Sequence, residues 1–288
     1  MTLRRRGLDW LLNAYAGLAL VYLLVPIAVI MVFSFNNPRG RFNFIWQEFS
    51  FEAWKDPFGV PGIGDALRNS LEIAALSTLG ATILGTLTAL ALVRYEFRGR
   101  APINFFIFIP LATPEVVLGA ALLSQFLNLG TPQLGFATIL IAHIMFNLSF
   151  VVITVRSRLI GFDRSLEEAA QDLGATPWET FRLVTLPLIM PGVVSAALLA
   201  FALSIDDFVI TYFNNGSTIT FPLFIWGAAR VAIPPQIYVI ATMIFLFTVA
   251  MMVITVWQQR RAEKMAAVRP DDTAPDDTGP LVPDRALA

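Results

Sequence analysis

Apolar residues along the chain fall into about six runs, at 11–35, 67–93, 102–127, 134–155, 187–213 and 236–257, with the polar residues collected between them. Each run is long enough for a bilayer crossing, which takes roughly twenty residues of helix, and the pattern predicts about six transmembrane helices. The first run continues through Tyr22, Pro26 and Phe33 with no small-residue cleavage site, so it is predicted to be retained and not removed as a signal peptide.

Composition agrees with the pattern. Hydrophobic residues make up 56% of the 288 and charged residues 14%, the mean hydropathy is +0.68, and a soluble domain carries about a quarter charged residues. The chain is therefore read as an all-α polytopic membrane protein. The net charge of −1 says little, because the charges are segregated. Placing Arg4, Arg5 and Arg6 inside also puts Arg94, Arg98, Arg100, Arg156, Arg158, Arg164, Arg182, Arg260, Arg261 and Lys264 inside. Arg39, Arg41, Lys55, Arg68 and Arg230 are then outside, and both termini are predicted to be cytoplasmic. The organisation predicted is a short N-terminus at 1–10, a membrane domain at 11–258 holding a cytoplasmic loop at 156–186, and a tail at 259–288. Beyond about residue 266 the tail turns to Pro, Asp, Thr and Ala and has too little apolar content to fold. No cysteine is present and His143 is the one histidine, which closes off disulfides, thiolate metal sites and histidine clusters. No nucleic-acid surface is implied.

The cytoplasmic loop carries the main functional signal. Leu166, Ala169, Ala170 and Leu173 recur at helical spacing, with Glu167, Glu168 and Asp172 around them, so a short amphipathic helix with an apolar ridge is predicted. Gly174 permits a tight turn. Phe181, Leu183 and Val184 begin a second helical stretch, and Pro187 marks the start of the fifth membrane helix. Two short helices joined at a glycine make a knob able to fill a cleft in a partner; the same features also describe an ordinary connector.

Glu168-Ala169-Ala170, three residues, Gly174, nine residues, Val184, one residue, Leu186-Pro187 resembles the EAA loop of the permease subunits of ABC importers, with Val184 where isoleucine is usual. The resemblance implies a MetI-like permease fold. It assigns Glu168, Ala169, Ala170, Gly174, Leu186 and Pro187 to coupling with a separate ATPase. Asn69-Ser70-Leu71, Arg94-Tyr95-Glu96-Phe97-Arg98-Gly99, Thr113-Pro114-Glu115-Val116-Val117 and Leu203-Ser204-Ile205-Asp206-Asp207 are similar to the permeases of spermidine/putrescine importers, the PotC-like subunit in particular. That implies a second, nonidentical permease (PotB-like), two ABC ATPase subunits holding the ATP and Mg, and an extracytoplasmic substrate-binding protein, with no cofactor on this chain. Permeases for ferric iron, thiamine, sulfate or aminophosphonates share the fold, so another substrate stays open.

Independently, the two lysines, Lys55 before Asp56 and Lys264 before Met265, rule out a Lys-Ser or Lys-Thr phosphate loop here. The substrate clue is acid inside apolar runs, where a carboxylate costs about 2.5 to 3.5 kcal/mol on insertion scales. Glu115 is read near the middle of the third run, and Asp206 and Asp207 toward the outer part of the fifth. On one continuous helix Ser204, Asp207 and Thr211 share a face while Asp206 aligns with Leu203, Ile210 and Phe213, so Asp207 is the predicted pathway carboxylate. A salt bridge or helix cap is the alternative role for these acids. Tyr212, Phe208 and Trp226 offer cation–π contacts to a passing amine or, equally, belt packing. His143 and Asn147 are read as hydrogen-bonding between helices. Arg230 is placed in an external loop whose Pro222, Pro234 and Pro235 suggest a short broken helix near the outer mouth, either gating or repelling cations or meeting lipid headgroups. A secondary transporter coupling ions through Glu115 and Asp207 is the competing class. A membrane enzyme lacks a paired nucleophile and base.

Overall fold

The computed structural model describes residues 2–130, 133–161 and 163–267. In chain order its helices are α1 (Thr2–Phe33), α2 (Glu52–Lys55), α3 (Ile63–Arg94), α4 (Arg100–Ala112), α5 (Glu115–Asn128), α6 (Phe136–Ile160), α7 (Ser165–Asp172), α8 (Pro177–Thr180), a π-turn at Phe181–Thr185, α9 (Leu186–Ile205), α10 (Val209–Asn214), α11 (Phe221–Val231) and α12 (Pro235–Ala267). Extended pairing among the described residues is confined to two isolated bridges.

Four helical stretches are long and apolar enough to cross a membrane, and α4 with α5 makes a fifth if the bent pair counts as one span. The third apolar run, expected as one helix at 102–127, is thus corrected to two helices meeting at 115°. Pro114 is the cause: it has no N–H to donate, and it holds Thr113 in an extended conformation (φ −88°, ψ 131°). The fifth run is also interrupted, since α9 stops at Ile205 and α10 starts at Val209. The sixth lies within α12, whose described apolar stretch is Pro235–Ala250. Helix continues to Ala267, so the predicted tail at 259–267 is helical; the rest of the tail lies outside the described residues.

Residues 35–237 form one compact unit, and α1 with the larger part of α12 forms another. In the first, α3, α6 and α9 pack on one another. The sequence of α3 explains how. Ala66, Ser70 and Ala74, then Ser77, Ala81, Gly85 and Ala89, recur at every fourth position and are all buried. Small residues at that spacing form a flat seam that lets helix backbones approach closely, the usual way apolar helices associate in lipid. At Gly85 the approach is so tight that a Cβ would lie 2.6 Å from Val151 Cγ1. Opposite the seam, Val151, Val152, Val155, Ile189, Ala196 and Ala200 complete the core. The segment after residue 34 folds around Asn36, whose amide donates to Asn43 Oδ1 (2.6 Å) and Ile45 O (2.9 Å) and accepts from the Gln47 N–H (2.8 Å). In the other unit α1 leaves Leu18, Tyr22 and Leu23 exposed, an apolar surface suited to lipid.

Candidate functional site

The loop between α6 and α9 has the helix and glycine turn that the spacing predicts, but its second helical stretch starts at Pro177, ahead of the predicted Phe181. α7 covers Ser165–Asp172. Gly174 has φ +91° and donates to Gln171 O at 2.9 Å, while Ala175 N–H reaches Ala170 O at 3.1 Å, a helix-terminating turn. A Cβ at Gly174 would meet nothing within 4 Å, so its requirement is the left-handed backbone and not space. α8 opens with Pro177 behind a capping box: Thr176 Oγ1 accepts from the Glu179 N–H (3.3 Å), and Glu179 Oε2 accepts from the Thr176 N–H (2.8 Å) and hydroxyl (2.7 Å). The π-turn then joins α8 to α9, with the Leu186 N–H bonded to Phe181 O.

Glu168, Ala169 and Gly174 are exposed, Ala170 is half-buried, and Leu173 is 90% exposed. Leu166, Ala169, Ala170, Leu173, Leu183 and Val184 line an open apolar cleft of about 520 Å³. Glu167, read from sequence as flanking the ridge, turns inward instead. Its carboxylate accepts from Arg94 at the end of α3 and from the Thr185 hydroxyl, and Arg94 also reaches Thr185 Oγ1 at 3.3 Å. Arg164 adds a bond to Val93 O at 3.2 Å. The loop is tied to the ends of two core helices.

The acids of the membrane runs separate into two environments. Because α9 ends at Ile205, the helical-face argument for Asp207 does not apply. Its side chain is 6% exposed and caps α10, accepting from the Thr211 N–H (2.8 Å) and hydroxyl (2.8 Å), with His143 Nε2 at 3.2 Å. His143 Nδ1 lies 2.7 Å from Ser204 Oγ, and Ser204 Oγ lies 3.0 Å from Ser77 Oγ. His143 Nε2 lies 2.9 Å from Thr211 Oγ1, and one proton arrangement satisfies the chain: Nε2–H toward Thr211 Oγ1, Thr211 O–H toward Asp207, Ser204 O–H toward Nδ1, Ser77 O–H toward Ser204. This buried network links α3, α6, α9 and α10 and does not face outward. Asp206 is the exposed member of the pair. His143 bonds between helices as predicted; Asn147, its expected companion, is fully buried with neither amide atom hydrogen-bonded.

Glu115 is not in the middle of a straight helix. It is the exposed first residue of α5, beside the bend, where a carboxylate suits the positive end of the helix. α5 packs on α10 through Leu118 and Ile210, and the Asn214 amide reaches Gly119 O at 3.5 Å. The fold thus packs the helix that begins with Glu115 against the helix that follows Asp206. Tyr212 is 51% exposed, its ring 5.6 Å from Phe208. Arg230 lies in the last turn of α11, a short helix where the prolines suggest one.

A family model described as binding-protein-dependent transport system inner membrane component matches residues 81–264. The chain belongs to this family. It is 39% identical over 233 residues to the spermidine/putrescine transport system permease protein PotC of Escherichia coli (strain K12), covering 81% of this chain and 87% of PotC. It is 38% identical over 255 residues to the putrescine transport system permease protein PotI of the same strain, covering 86% and 90%. Among solved structures, a bacterial alginate ABC transporter in complex with alginate pentasaccharide-bound periplasmic protein matches with a TM-score of 0.60 at 19% identity, over 89% of this chain and 95% of that one. The chain is a multi-pass membrane permease with the fold of ABC importer permeases.

Sequence reasoning missed three features of this permease. The Thr176–Glu179 capping box was legible as Thr-x-x-Glu ahead of an apolar run. The Arg94–Glu167 pair joins residues 73 apart and the His143–Asp207 contact bridges separate helices; no local pattern announces either.

Proposed function

We propose that this permease is one of two nonidentical membrane subunits of an ATP-driven polyamine importer, moving putrescine or spermidine into the cell. The observation that carries the cargo is the likeness to PotC and PotI over most of the chain, at 39% and 38% identity. Its chemistry fits: Glu115 and Asp206 are exposed carboxylates at two helix breaks, Glu115 opening α5, which packs on the α10 that follows Asp206, so neither needs burial in lipid to meet an ammonium. Tyr212 borders the same break. Asp207 serves by holding the break open through His143 and Thr211.

Energy enters through the loop between α6 and α9. Glu168, Ala169, Ala170 and Gly174, with Leu186 and Pro187 where the loop joins α9, form the knob that docks in a groove of an ATPase subunit, one of two that carry ATP and Mg. An extracytoplasmic binding protein delivers the cargo, as the alginate-bound periplasmic protein in the solved relative suggests. Both termini face the cytoplasm, by the basic residues. The test is uptake of labelled putrescine and spermidine into vesicles holding the reconstituted transporter. Uptake that needs ATP and the binding protein supports the reading; transport of an anion or metal complex, with no polyamine uptake, overturns the cargo.

A further inference from the structure

Beside the helix break lies a wall of aromatic rings. Phe208 sits 5.6 Å from Tyr212 and 5.2 Å from Trp226 between ring centroids. Tyr212 and Trp226 line an open cleft of about 470 Å³ together with the apolar side chains of Leu223, Phe224 and Val231. Trp226 keeps 45% of its surface exposed, yet one face is taken: the Arg230 guanidinium lies 4.5 Å from the ring centroid. The two residues are four apart on α11, so the helix itself sets the stack. Arg230 makes no ion pair among the described residues. It is a cation held by a ring.

We infer that the cleft lined by Tyr212 and Trp226, whose rings Phe208 contacts, is a binding site for an alkylammonium group, and that Arg230 is a tethered cation occupying it until a substrate ammonium takes its place. The inference rests on the polyamine reading and names a site within it. An aromatic face carries negative potential and indole is the strongest of the three rings for a cation, so the site takes ammonium and rejects anions. The apolar lining suits the methylene segments between amines. Asp206, two residues before Phe208, is exposed and available to a second amine. Arg230 makes binding an exchange of one cation for another and not a simple addition, which weakens retention. A transport pathway needs that: a site that held its cargo tightly would stall it.

The experiment uses the complete transporter in vesicles, with initial rates of labelled putrescine uptake, and the solubilised complex for tryptophan emission on adding putrescine or tetramethylammonium. Trp226→Leu is expected to raise KM about five-fold, the scale of one lost cation–π contact, with assembly and melting temperature unchanged. Arg230→Gln should lower KM and the maximal rate together, because the vacant ring holds the amine longer; Arg230→Lys, which restores the charge without the planar stack, should recover part of that change. Emission should respond to tetramethylammonium in wild type and lose that response in Trp226→Leu. The site is overturned if Trp226→Leu and Arg230→Gln both keep wild-type KM and rate, or if Trp226→Leu only disrupts assembly and the surviving complex has wild-type KM. A wild-type complex that moves no polyamine while its emission still answers tetramethylammonium through Trp226 overturns the cargo and keeps the site. Absent emission response overturns the site whatever the cargo.

Discussion

Asp206 and Asp207 are neighbours with opposite surroundings, and neutralising each should do different things. The Asp207 carboxylate takes two bonds from Thr211 and lies against His143. Asp207→Asn puts an amide where three donors converge, and leaving one buried polar group unmatched costs roughly 1–3 kcal/mol. The expected outcome is a lower melting temperature and yield of the solubilised complex, with a proportionate fall in uptake. Asp206→Asn disturbs no such network. It should leave the melting temperature unchanged while cutting putrescine uptake about ten-fold, equivalent to about 1.4 kcal/mol. Measuring both quantities in both variants decides the matter, and a reversed pattern would return Asp207 to the pathway. The pair itself was visible in the sequence as acid in an apolar run. Which member is exposed was not, because the helical-face argument assumed helix through 213. The bonds that favour stopping at Ile205 come from His143, 61 residues earlier, and from the cap on Thr211.

The loop between α6 and α9 was largely legible as elements, since its glycine, its small residues and its proline are local signals. What the sequence did not contain locally was its anchor. The Arg94–Glu167–Thr185 cluster joins α3, α7 and the π-turn, and the ion-paired side chains are 25% and 14% exposed, shielded enough for the charge to matter. A knob that transmits motion has to be fixed to what it moves. Glu167→Gln should therefore lower receptor-stimulated ATP hydrolysis and uptake together while leaving membrane insertion intact, and exchanging the charges as Arg94→Glu with Glu167→Arg should recover part of the loss. Full coupling in Glu167→Gln would show the cluster to be incidental. Gly174→Val acts differently, forcing a β-branched residue to φ +91° at a cost of about 1–2 kcal/mol. It should impair binding to the ATPase subunit in pull-down, and wild-type binding and hydrolysis would remove Gly174 from the coupling turn. The seam on α3 offers a control of another kind. Gly85→Leu places side-chain atoms where even a Cβ would lie 2.6 Å from Val151, and overpacking of that sort costs about 1–3 kcal/mol. The whole complex should melt earlier, with no selective loss of coupling.

At the scale of the whole molecule, the apolar pattern located the membrane helices but smoothed over their breaks. A hydropathy run is indifferent to backbone direction, so Asp206-Asp207 was read through and a helix restarting after Thr113-Pro114 stood only as the alternative for Glu115, although each pair ends a helix. Those breaks are where Glu115 and Asp206 stand. The molecule therefore has candidate contacts for cargo and an exposed apolar cleft for a partner, but neither lysine stands before the Ser or Thr that a phosphate loop requires. On the importer reading proposed above, work comes from outside the chain, and the last prediction follows. Vesicles containing this chain and its partner permease without the ATPase subunits should accumulate no putrescine against a gradient, whatever proton or sodium gradient is imposed. Adding the ATPase, ATP, Mg and the binding protein should start uptake, and a protonophore should leave it unchanged. The opposite result, accumulation without ATPase that collapses with the protonophore, would make Glu115 and Asp206 ion-coupling groups and the chain a secondary transporter, with the apolar cleft at Ala169 and Leu173 left to some other partner.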